Sequence, residues 1–121
     1  MIEIPNNKQL VFDTVAEHLL KQGKQSFYID NNFVEVCAYR GHGGLKCAAG
    51  CLIPDEQYDS SIESIGWCKL VYDRVVSHNC LDLISDLQHI HDTVNPKDWL
   101  LCLHEYADKK GLNKSKLPPL Q

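Results

Sequence analysis

Cys37-Ala38-Tyr39-Arg40-Gly41-His42-Gly43-Gly44-Leu45-Lys46-Cys47-Ala48-Ala49-Gly50-Cys51-Leu52-Ile53-Pro54-Asp55 sets three cysteines, four glycines, an arginine and a histidine between a strand-like and a helix-like run. Phe33 to Tyr39 alternates and is rich in β-branched and aromatic residues, the pattern of a half-buried strand. Gly41 to Gly44 can turn the chain through conformations closed to other residues. Leu45, Ala48, Ala49 and Leu52 then recur at helical spacing and predict a helix over Leu45 to Ile53, stopped by Pro54. A glycine turn opening a helix leaves unpaired N–H groups at the positive end of a dipole, which suits a phosphate or carboxylate.

Working outward, Asn7 is placed to cap a helix from Lys8 to about Gln22, with Val11, Val15 and Leu19 as its apolar stripe and Gly23 as its stop. Phe27 to Ile29 and Phe33 to Tyr39 read as two strands reversed through Asp30-Asn31-Asn32. Ile62 to Val76 and Leu81 to His91 read as helices, the former with Trp67 on a rim. Asn95-Pro96-Lys97-Asp98 supplies an N-cap, a proline at the first helical position and an acid for a last helix closed by Gly111. The expectation is an α+β fold with about five helices around a short antiparallel hairpin. It forms one domain over residues 1–121, with 1–6 and 113–121 as tails.

A chain of 121 residues has room for one core. Its net charge of −4 argues against broad nucleic-acid binding, and Lys109, Lys110, Lys114 and Lys116 read as a solvated helix end. No run is long and apolar enough to cross a bilayer. Met1-Ile2-Glu3-Ile4-Pro5 is too short and acidic for a cleavable leader, so the six cysteines are expected to be reduced thiols in a cytoplasm.

Three chemistries compete for the central motif. As a binding site for a small anionic, nucleotide-like ligand, it would use Arg40, Gly43, Gly44 and Lys46 at the polar end, with Tyr39 or Trp99 stacked on a base. A pocket of that kind would gain area from a second copy of the chain, predicting a homo-oligomer and no cofactor. As an enzyme, Cys47 in a first helical turn would be a low-pKa thiol, served by His91 as base and Asp92 as orienter. As a metal centre, Cys37, His42, Cys47 and Cys51 give a C-x4-H-x4-C-x3-C series, although the chain lacks the C-x2-C pair usual in structural zinc sites. A fourth possibility leaves the motif as scaffold and docks the acidic surface on a host protein as an inhibitor.

The run Cys37 to Gly41, then Gly44 to Asp55, with Leu87 to Asp92, Pro96, Trp99 and Ala107 to Leu112, resembles a family of small bacteriophage and prophage proteins. The resemblance covers nearly the whole chain and is looser between Asp59 and Leu81. Its pattern does not require a histidine at the place of His42. It implies a viral accessory protein made in the host bacterial cytoplasm, outside the virion. By analogy with other such proteins, it implies action against a host enzyme or defence signal.

Overall fold

Asn7 accepts the Leu10 amide through its side chain and opens helix α1, Lys8–Gln22, which Gly23 ends at φ 68° with its N–H on the Leu19 carbonyl. The computed structural model describes residues 1–120, so Gln121, the last residue of the expected tail, lies outside them. Strands β1, Phe27–Ile29, and β2, Glu35–Cys37, pair antiparallel with Tyr28 opposite Val36. Helices α2, Trp67–Tyr72, α3, Leu81–Thr93, and α4, Trp99–Lys110, complete the domain. Among the described residues the fold is α+β, with four α-helices rather than about five.

α1 buries Val11, Phe12, Val15 and Leu19 among Leu83, Ile84 and Leu87 of α3 and Trp99, Leu103 and Ala107 of α4. Asn95 caps a 3-10 turn over Pro96–Asp98 that runs directly into α4, and Gly111 closes that helix at φ 70°. Both expected tails dock on this body. Ile2 bridges to Val76, and Ile4 is buried with its amide on the Ser77 hydroxyl. At the other end, Leu117 is buried and the Pro118 carbonyl meets His104 at 2.7 Å.

The central motif does not form a helix. Between Leu45 and Ile53 the only regular piece is a 3-10 turn at Gly50–Leu52, and side chains from elsewhere satisfy backbone groups along the segment. Gln22 holds the Lys46 amide at 2.9 Å, Gln88 holds the Ala49 amide at 2.9 Å, and Arg40 holds the Gly50 and Ile53 carbonyls at 2.7 Å each. Cys47, Ala48, Ala49 and Gly50 are nonetheless buried. A Cβ on Gly50 would fall on the Tyr39 carbonyl, so this position requires glycine. The expected helix over Ile62 to Val76 shrinks to α2, preceded by short turns in which Ser64 takes φ 65°, and Trp67 is buried rather than on a rim.

Among the described residues no helix is long and apolar enough to cross a membrane.

Candidate functional site

Arg40 lies at the centre of the motif as a clamp. Its Nη1 donates to the Gly50 carbonyl, and its Nη2 donates to the Ile53 carbonyl and to Asp55 Oδ1 at 3.0 Å, while the guanidinium sits 4.8 Å from the Tyr58 ring centroid. Glu63 accepts the Tyr39 and Arg40 amides and the Tyr58 hydroxyl. Lys46 reaches the same Asp55 oxygen at 3.1 Å. The Asp55 carboxyl is held below its ordinary value by the hydrogen bond and charge of Lys46 and by Arg40.

Both cations expected to hold an anion instead pair with one exposed carboxylate of the same motif, Asp55. Gly43 and Gly44 form an exposed turn with positive φ, and no helix starts at Leu45 to aim a dipole at it. Nor are the stacking rings free. Tyr39 is buried with its hydroxyl on the Ile65 carbonyl at 2.6 Å. Trp99 is fully buried, donates to the Val94 carbonyl and stacks on His91 at 5.7 Å. Five of the six expected ligand residues are structural parts of the motif or its exposed turn, the sixth, Trp99, is a core residue of α4, and they do not converge on a cavity.

The thiol constellation fails on proton positions. Burial pushes the Cys47 thiol up to about 12, the opposite of an activated nucleophile, and its sulfur accepts the Gly50 amide at 3.2 Å. His91 is fully buried with both ring nitrogens engaged. Ser26 N–H donates to Nε2 at 2.9 Å, which assigns the proton to Nδ1, and Nδ1 donates to Asp92 at 2.7 Å. The imidazole has no free lone pair to act as a base. Burial raises the Asp92 carboxyl, but hydrogen bonds from His91, Cys37 and Gln88 outweigh it and hold the group below its ordinary value.

The four-ligand metal set is not assembled either, since His42 turns to the β1 edge, where its Nε2 accepts the Ile29 amide at 3.3 Å. Among the described residues, the cluster with ligand-like proximity is Cys37, His91 and Asp92, whose ligating atoms lie within 4.8 Å of one another. It does not suit a metal ion. Coordination through Nδ1 would move the proton to Nε2, directly against the Ser26 N–H, and burial with the Asp92 charge pushes the Cys37 thiol up to about 11.

Two clefts remain. The smaller, about 220 Å³, lies beside the motif among Cys37, Tyr39, Cys47, Trp67, Gln88 and Asp92, and the Trp67 indole N–H finds no hydrogen-bond partner among the described residues. Its charged member is the Asp92 carboxylate, which repels anions. The larger, about 490 Å³, opens between α1, α3 and α4 and carries Lys8, His78 and Lys110 beside Tyr106, with Leu81, Leu83 and Leu112 as apolar wall. Asp82 and Asp86 add acceptors, and the Tyr106 hydroxyl donates to Asp86 at 2.7 Å. Cys80, at φ 57°, precedes α3 without giving it a side-chain cap. Sequence inspection misses this cleft because it draws on three distant segments, and Lys8 and Lys110 look like ordinary solvated helix ends.

Comparison with protein-family models, with curated proteins and with solved structures finds no match to the chain.

Proposed function

We propose that this protein is a non-enzymatic binder of a small anionic, nucleotide-like ligand, and that the ligand occupies the cleft between α1, α3 and α4. In this role it acts as a phage-encoded accessory protein in the bacterial cytoplasm, where capture of the ligand counters a host response. The observation that carries the reading is the cleft of about 490 Å³ lined by Lys8, His78, Tyr106 and Lys110. A cavity of that size matches a mononucleotide-scale ligand. The lysines supply charge for a phosphate, the leucines and Tyr106 supply apolar and aromatic surface, and Asp82 and Asp86 offer acceptors to amine or hydroxyl groups at the ligand's other end. The cleft is built within one chain, so ligand capture requires no second copy. Binding without turnover is favoured by the buried, protonated Cys47 and the saturated His91.

The test is amide and side-chain shift mapping by NMR during titration with nucleoside monophosphates and, separately, inorganic phosphate. Shifts should centre on His78, Asp82, Tyr106 and Lys110. Shifts centred on Gly43 and Gly44, or none with any mononucleotide, would refute the assignment.

A further inference from the structure

The two edges of the hairpin are treated differently. In the β1–β2 ladder the bonded pairs are the even-numbered ones, as the Ala38 to Ser26 and Asp30 to Val34 bonds show. The N–H and C=O groups of Phe27 and Ile29 on one strand, and of Glu35 and Cys37 on the other, therefore point away from the ladder. On the β1 side the Gly41–His42 segment packs against that edge. Gly41 packs so tightly that a Cβ would sit 2.6 Å from the Phe27 carbonyl oxygen, and His42 takes the Ile29 amide. On the β2 side, the outward amides and carbonyls of Glu35 and Cys37 meet no partner among the described residues.

The tip beside this open edge is apolar and strained. Phe33 is 89% exposed and Val34 54%. Phe33 adopts φ 62°, a region costly for a bulky side chain, in a turn whose amides at Asn32 and Val34 are held by the Asp30 carboxylate. Nothing in the core requires an aromatic residue there. From Ser26 to Tyr39 the chain carries Asp30 and Glu35 and no cation, and the Asp92 carboxylate lies against Cys37 at the end of the edge.

We propose that the β2 edge, Glu35–Cys37, with the Phe33–Val34 tip, is a docking surface for an extended, basic segment of a partner protein. The segment would add a third strand, its backbone pairing with Glu35 and Cys37, a lysine or arginine opposing Glu35, and an apolar residue covering Phe33. Glu35 guards the edge against indiscriminate pairing and selects the charge of the incoming strand. A second copy of this chain is the poorer occupant, because Ser26 to Tyr39 offers no cation to meet Glu35 in any register, and pairing centred on Glu35 would set two carboxylates opposite each other.

The test uses the full-length protein and three synthetic peptides: one alternating lysine and valine, one alternating glutamate and valine, and an N-methylated lysine–valine peptide unable to donate along its backbone. The lysine–valine peptide should slow hydrogen exchange at Glu35 and Cys37 and bind roughly two- to fivefold tighter per opposed charge than the acidic one. Glu35→Lys should reverse that preference, Phe33→Asn should weaken binding with the fold intact, and N-methylation should abolish it. Equal binding of both charge types, no protection of Glu35 and Cys37 at saturating peptide, or protection arising from self-association alone would each overturn the proposal.

Discussion

Arg40 illustrates how a single side chain can look like a ligand grip in sequence and be a fastener in structure. Three oxygens on the far side of the motif receive its guanidinium, and removing it leaves the Ile53 carbonyl without that donor and the Gly50 carbonyl with the Ile53 amide alone. Arg40→Ala should therefore cost about 2–4 kcal/mol of folding stability, and Arg40→Lys should recover little, since an ammonium cannot reproduce the fork. Denaturant unfolding monitored by tryptophan fluorescence measures this, and an unshifted midpoint would remove Arg40 from its place as fastener. Cys47→Ser should be milder, because a hydroxyl can also accept the Gly50 amide. His18 gives the chain a mild-acid sensitivity. Burial lowers its pKa from the ordinary 6.5, against the opposing hydrogen bond to the Lys46 carbonyl, so the unfolded chain binds the proton more readily. Stability contributed by neutral His18 is present above about pH 6.5 and falls as the pH drops from there toward the lower folded value. Unfolding midpoints compared at about pH 7.5 and about pH 5.5 should decline in the parent protein and decline less in His18→Gln. An equal decline in both would show that His18 is not the group responsible.

At the level of elements, three helices were legible because their signals are local: the Asn7 cap and Gly23 stop of α1, the apolar stripe of α3, and the Asn95-Pro96 start and Gly111 stop of α4. The motif was misread because apolar spacing says that residues are buried, not which groups satisfy their backbone. Gln22, Gln88 and Arg40 supply those partners from 10 to 39 positions away, a pairing with no local signature. Gly50 lies against the Tyr39 backbone, and Gly50→Leu should overpack there and cost about 1–3 kcal/mol or more. A calorimetric melting temperature equal to the parent's would contradict that packing. At the hairpin tip the expected sign is opposite. Phe33→Asn places a residue tolerant of positive φ at φ 62° and should leave stability unchanged or raise it by about 1 kcal/mol. Loss of stability there would mean that Phe33 serves the fold rather than a partner.

Over the whole molecule, the cations of the motif pair with a carboxylate of the same motif, while Lys8 and Lys110 of the cleft make no ion pair among the described residues. Asp55 ties Arg40 and Lys46 together, whereas Lys8 and Lys110 line an open cavity. The sequence showed the chemistry-rich segment but not its saturation, because neither the meeting of Arg40 with Asp55 nor that of Ser26 with His91 follows from periodicity. Capture of an anion in the cleft should weaken with added salt, as lysine ammonium groups partly open to solvent are screened. The most direct measurement is calorimetric titration of the full-length protein with nucleoside monophosphates, alongside Lys8→Ala/Lys110→Ala and Lys46→Ala variants shown to be folded. The parent and Lys46→Ala should bind alike, and the double variant should lose about tenfold or more in affinity. Undiminished binding by the double variant, or loss on changing Lys46 alone, would contradict the assignment of the ligand to the cleft between α1, α3 and α4.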